Sequence, residues 1–203
     1  MAVNTTEPGI ALDLKRLSED ELEELKALGM LSVDGTLLPR PPSPMELGLP
    51  IISRRAISAP RVLNEAYDYT HYPVSFSRGL RIELNGVTQL LISGTASVDE
   101  EGRSAHSGDL RAQCWRTYHN LTRLLEAEGA SWHDVVRCTC YLRDIERDYK
   151  DFNAVRTAFF RWLGLDPLPA STGIQARLCR EDLLVEIELI ALIPSERQRE
   201  RSG

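Results

Sequence analysis

Residues 184 to 193 alternate so strictly that they constrain the fold of the whole chain. In an extended strand successive side chains point to opposite faces, so Val185, Ile187, Leu189, Ala191 and Ile193 share one side. Leu184, Glu186, Glu188, Ile190 and Leu192 share the other. The first face is wholly apolar and has to be covered by other elements. The second is apolar except for two carboxylates, and burying an unpaired carboxylate costs several kcal/mol. That face therefore meets water, a partner charge or a ligand cavity near the start of the strand, and a binding site belongs there.

The rest of the pattern supplies elements to cover such a strand. Apolar runs at residues 76 to 84 and 89 to 96 flank Asn85 and Gly86, a pair suited to the positive dihedrals of a tight hairpin turn. Residues 109 to 128 carry Leu110, Cys114, Leu121 and Leu125 at helical spacing, with Gly129 as the stop. Residues 135 to 142 read as a strand, 149 to 163 as a second helix ended by Gly164 and Pro167, and 184 to 193 as the last strand. The order is ββαβαβ, with room for another strand at 171 to 178. The four cysteines, Cys114, Cys138, Cys140 and Cys179, lack paired Cys-x-x-Cys spacing and are expected as buried free thiols. Cys138 and Cys140 would share a strand face with Val136 and Leu142.

Residues 1 to 60 read differently, as an extension ahead of a domain at 61 to 194 and a polar tail at 195 to 203. Ser18 and Glu21 fit a capping box, and Leu22, Leu25 and Leu28 form a narrow apolar stripe, expected on a surface helix docked on its own core. Pro39, Pro41, Pro42, Pro44 and Pro50 then favour an extended course. At 203 residues the chain has room for one well-buried domain plus this extension. A formal charge of -6 argues against phosphate-backbone binding, so no nucleic-acid partner is expected. No apolar run approaches the roughly twenty residues that span a bilayer, and the start of the chain lacks the basic and hydrophobic regions of a signal peptide. No membrane association and a cytoplasmic location are the expectations. His71, His106, His119 and His133 show neither metal-ligand spacing nor a paired nucleophile, so no metal site or triad is expected.

Four landmarks occur in order between about residues 73 and 194: Leu91-Ile-Ser-Gly-Thr-Ala-Ser97, Gln113 with Asn120 on the predicted helix, Asn153-Ala-Val-Arg-Thr-Ala-Phe-Phe160, and Pro169-Ala-Ser-Thr172. Together they resemble the YjgF/Rid family. The resemblance implies an α+β fold of chorismate-mutase-like type, a mixed sheet with two helices packed on one face. It also implies a homotrimer whose sheets form a central barrel, with ligand clefts at the subunit interfaces and no cofactor. Typical members hydrolyse reactive enamines or imines, an arginine holding the substrate carboxylate and a glutamate positioning water at the C=N carbon.

Carried over residue by residue, Ser93 and Gly94 match the cleft loop, Asn153 the helix asparagine and Glu186 the water-positioning glutamate. Three positions depart: Phe76 stands for a tyrosine, Ser171 for the arginine, and Gly173 near a cysteine. Glu186 and Ser93 are thus the candidate catalytic residues, and Gly94, Phe76, Arg78, Asn153, Ser171, Thr172 and Gly173 the candidate substrate-binding set. A serine donates one neutral bond where an arginine fork donates two charge-assisted ones, and Arg78 or Arg177 is the candidate to supply the missing charge from another direction. Hydrolytic deamination of a small carboxylated metabolite is the expected function. One alternative rests on a second resemblance, of residues 93 to 97, 106 to 109 and 171 to 174 to chorismatases, with Glu186 moving a proton and Arg78 holding a carboxylate. The other is a trimer that binds a small molecule without turnover. An acidic chain without a His pair or metal cluster gives no support to ribonuclease activity.

Overall fold

Asn85 and Gly86 both adopt positive φ, 31° and 89°, and close a hairpin between two antiparallel strands. In the computed structural model, which describes residues 14–42, 46–48, 52–60, 63 and 76–194, these strands are β2 (Gly79–Leu84) and β3 (Val87–Ala96). A short strand, β1 (Arg54–Ala56), pairs antiparallel with β2. The remaining strands are β4 (Val135–Leu142), β5 (Ala170–Gln175) and β6 (Val185–Pro194). All six form one mixed sheet in the order β1-β2-β3-β6-β4-β5. The alternating strand lies between β3 and β4, antiparallel to both, while β4 and β5 run parallel.

The chain divides into two compact units, residues 1–51 and 52–203. In the first, α1 (Glu19–Ala27) begins with the expected capping box: Glu21 N–H donates to Ser18 Oγ at 3.2 Å and Ser18 N–H to a Glu21 carboxylate oxygen at 2.6 Å. Leu22 and Leu25 are half-buried, whereas Leu28 is 72% exposed and adds nothing to the apolar stripe. Arg40 and Glu46 form a two-pronged ion pair in the segment that follows. Pro39, Pro41 and Pro42 carry no helix or strand, while Pro44, Pro50, His71 and the tail at 195–203 lie outside the described residues.

The second unit holds the core. Helices α2 (Leu110–Ala127) and α3 (Ile145–Leu163) pack on each other and on one face of the sheet, α2 against β3 and β6, α3 against β4. Val185, Ile187, Leu189, Ala191 and Ile193 are all buried under them, as the alternation requires. Leu121, Leu124 and Leu125 of α2 and Phe152 of α3 are almost fully buried, each such side chain contributing roughly 1.5–3 kcal/mol. Tyr118 stacks on Phe159 at 4.7 Å between ring centroids, with Trp132 edge-on to both. Ile57 and Ala59, placed by sequence in the extension, belong to this same core because β1 feeds them onto it.

Three local differences from the sequence reading have plain causes. Helix α3 starts four residues before Tyr149, because Asp144 accepts the Arg147 amide at 3.1 Å and caps a polar first turn that the apolar pattern does not reveal. Removing such a cap typically costs about 1 kcal/mol, so Asp144→Ala is expected to lower the urea midpoint by that equivalent with an unchanged slope. In β4 a register shift between Val135 and Arg137 turns Val136 outward, 42% exposed, while Val135 joins the cysteines in the core. Cys114, Cys138 and Cys140 are buried, and burial pushes the first two thiols up to about 12. Cys179, by contrast, is exposed, since it sits in the loop between β5 and β6.

Candidate active site

Strand β3 loses step with β6 at one point. Ile92 pairs with Leu189 and Thr95 with Ile187, so Ser93 and Gly94 together oppose the single residue Glu188. This two-against-one bulge bends the strand at the predicted Ser-Gly pair, on the sheet face away from the helices. Glu186, paired in register with Ala96 and Tyr141, extends over Gly94. A Cβ on Gly94 would stand 2.0 Å from Glu186 Oε1 and 2.9 Å from its Cδ. Glycine at 94 is thus required for the carboxylate to lie where it does, and not for any unusual backbone angle.

The electrostatics mark the same residue. Burial first, and then the like charge of Glu188, raises the Glu186 carboxyl above its ordinary value. Glu188 is engaged differently: it hydrogen-bonds the Tyr141 hydroxyl, whose own pKa rises through burial and then through Glu188. The two carboxylates that break the apolar face therefore divide roles, one partnered by a phenol and one held beside a bulge. Ser93 anchors the bulge, its amide donating to Arg78 O at 3.1 Å and its hydroxyl to Ser77 O at 2.8 Å. With that proton committed, Ser93 is placed to accept or to position, not to attack.

Phe76, half-exposed, and Ser93 border a cavity of about 480 Å³ on the open face, together with Leu80, Leu91, Arg137 and Glu188. Arg78 is 6% exposed, its guanidinium carbon 6.0 Å from the Phe76 ring centroid. Arg177 is exposed in the segment after β5. Neither stands at position 171.

The other candidates assemble elsewhere, along α3 and β5. Ser171 and Gly173 face α3, where a Cβ on Gly173 would meet Tyr149 and Ile145 at ordinary contact distances of 3.6 and 4.0 Å. A glycine is not demanded there; it leaves space. Thr172 faces the opposite way, accepting from Arg137 at 3.3 Å. Asn153 points its side-chain carbonyl at Arg156, whose other terminal nitrogen donates to Ser171 Oγ at 3.0 Å. Arg156 was not singled out from sequence, although its spacing of three from Asn153 puts both on one helix face. Three inter-strand steps separate β3 from β5, roughly 14 Å at the usual sheet spacing. One chain therefore gathers the candidates in two places: Ser93, Gly94 and Glu186 on the open face, and Asn153, Arg156, Ser171 and Gly173 beneath the edge strand.

A six-stranded mixed sheet covered on one face by two helices, with a Ser-Gly bulge facing a strand glutamate, defines an α+β protein of the Rid type. The model of the family described as endoribonuclease L-PSP matches residues 73–193, more than half of the chain, and the chain belongs to this YjgF/Rid family. Among relatives, a RutC family protein of Pyrococcus abyssi is 31% identical over 102 residues, covering 50% of this chain and 76% of its own. The 2-iminobutanoate/2-iminopropanoate deaminase of Salmonella typhimurium is 29% identical over 105 residues, 52% of this chain and 80% of its own. The crystal structure of the YjgF gene product of E. coli superposes with a TM-score of 0.55 at 24% identity, covering 68% of this chain and 97% of that one, a likeness of fold.

Proposed function

We propose that this protein hydrolyses the C=N bond of small carboxylated imines or their enamine tautomers, releasing ammonia and a 2-oxo acid. The observation that carries the reading is the Glu186 carboxylate, half-buried, raised in pKa by burial and lying against the one residue in the bulge that has no side chain to displace it. A carboxylate whose pKa is brought nearer to working pH is a better proton shuttle. It takes a proton from water as the oxygen attacks the C=N carbon and passes it to nitrogen, giving a carbinolamine; it then takes the hydroxyl proton as the C=O bond forms and delivers it to nitrogen, which leaves as ammonia when the C–N bond breaks. Water is consumed and ammonia leaves, so no redox partner or cofactor enters the balance. The deaminase name carried by the Salmonella relative supports the same chemistry.

The two groups of residues lie apart in one chain, and the reading takes them as half-sites, with a second copy bringing its Asn153 and Ser171 region to Glu186. A homotrimer with three such clefts satisfies this and covers the open face of the sheet. The test generates short-lived 2-imino acids in situ with an amino-acid oxidase and follows their loss by semicarbazide trapping. The expected result is faster loss with the purified protein present. No acceleration across several side chains would overturn the hydrolytic reading and leave a binding protein in its place.

A further inference from the structure

Ser171 replaces a residue that should hold a carboxylate, yet the structure does not leave that position without a guanidinium. Arg156 reaches it from α3. One terminal nitrogen donates to Ser171 Oγ at 3.0 Å, the other to the Asn153 side-chain carbonyl, and the guanidinium carbon lies 5.1 Å from the Phe152 ring centroid. We infer that Arg156 is the carboxylate anchor of this protein, supplied by the helix in place of the strand, with Ser171 and Asn153 holding its fork.

The physical case rests on what surrounds this cation. Arg156 is half-buried, and its contacts are a hydroxyl, an amide carbonyl, an aromatic face and the Cys140 thiol, all neutral. Among the described residues no carboxylate forms an ion pair with it. A guanidinium carries five N–H donors in a rigid planar fork, so these contacts fix its orientation without exhausting its donors. A cation held by neutral groups alone, and still reached by solvent, keeps its charge available to an anionic ligand. Space is at hand: a cavity of about 690 Å³ is bordered by Arg156, Ser171, Thr157, Phe160, Arg161 and Asp166. Asp166, the acid in that lining, makes no ion pair with Arg156 among the described residues. Ser171 thus serves as a spacer. A larger residue there would occupy the place from which its hydroxyl receives the Arg156 proton.

This inference rests on the proposed hydrolytic reading for the identity of its ligand, and it is tested by binding, separately from turnover. The probe is 2-oxobutanoate, a stable 2-oxo acid, with its methyl ester as the uncharged control, titrated by calorimetry into the wild-type protein, Arg156→Ala and Arg156→Lys. Losing two charge-assisted hydrogen bonds weakens the acid roughly 10- to 100-fold in Arg156→Ala. Arg156→Lys falls between, since it keeps the charge and loses the fork. The ester binds wild type and Arg156→Ala equally weakly. A double variant, Arg156→Ala with Ser171→Arg, regains affinity for the acid, which a merely misfolded Arg156→Ala could not do. Equal affinity of wild type and Arg156→Ala for the acid overturns the inference, as does no binding to wild type at millimolar concentration. Arg156-dependent binding without imine hydrolysis would sink the proposed reaction and leave the anchor standing; hydrolysis with KM unchanged in Arg156→Ala would do the reverse.

Discussion

Glu186→Gln is expected to lower imine turnover by roughly 10²- to 10⁴-fold, the usual contribution of a positioned general base, while leaving the fold intact. Glutamine keeps the shape that lies over Gly94 and loses both the charge and the ability to accept a proton. A companion variant approaches the same atom from the other side. In Gly94→Ala the new methyl would stand 2.0 Å from Glu186 Oε1, and because that atom is the end of a flexible side chain, the carboxylate moves and the backbone does not. Gly94→Ala should therefore fold normally and lose turnover almost as completely as Glu186→Gln. Full activity in either variant would remove Glu186 from the mechanism. Stability gives an independent readout with a definite sign. The Glu186 carboxyl has its folded-state pKa raised, by burial and by Glu188. Its contribution to stability is therefore present below the unfolded-state pKa and lost as pH rises through the folded one. Relative to wild type, Glu186→Gln gains stability as the pH is taken from acid to neutral, read from urea denaturation at each pH.

Gln113→Leu is the change expected to harm stability most. This α2 side chain is completely buried, and it uses every part of its amide. Its nitrogen donates to His106 O at 3.1 Å and Asp182 O at 2.8 Å, and its oxygen accepts from Leu184 N at 2.8 Å. Leucine fills nearly the same volume, so the cost comes from two backbone groups, Asp182 O and Leu184 N, that lose the partner Gln113 gives them, while His106 O keeps the Asp109 amide. At 1–3 kcal/mol for an orphaned buried group, partly relieved by water reaching the loops, a loss of about 3 kcal/mol follows. Chemical denaturation measures it directly, and a loss under about 1 kcal/mol would mean the loops re-pair on their own. Leu184 immediately precedes β6, so the same substitution loosens the start of the strand that carries Glu186. Turnover is expected to fall with stability, and Asn120, which ties Ala96 O and Val98 O to the same helix, marks the other end of that support.

The elements themselves were legible because local rules govern them. The hairpin at Asn85 and Gly86, the Asp109 to Gly129 helix and the strand at 135–142 follow from turn chemistry, helical spacing and alternation, and all three appear within a few residues of where the pattern puts them. The start of α3 was not legible, since Asp144 caps a turn whose residues are polar. Strand β1 was hidden by its sequence, Arg-Arg-Ala, which becomes a strand only because β2 offers an edge to pair with. The outward turn of Val136 and the two-for-one step at Ser93 and Gly94 are bulges, and a bulge is a relation between two strands that neither strand encodes alone.

The candidate site divides in the same way. Two carboxylates interrupting an apolar strand face pointed to a candidate site at the start of β6 from sequence alone, because unpaired charge buried in an apolar face is costly. Which of the two is poised was decided by the fold, since Tyr141 partners Glu188 and the bulge at Gly94 receives Glu186. The loss of a guanidinium at position 171 was visible in the chain, and its return was not. Arg156 lies fifteen residues from Ser171, and only the packing of α3 on the edge of the sheet brings that fork to the serine. The sequence by itself determined the periodicities, the turns and the apolar faces, which depend on neighbours a few residues away. Tertiary structure alone decided the bulge, the division of labour between the glutamates and the placing of Arg156, because each depends on the distance between groups that the chain holds far apart.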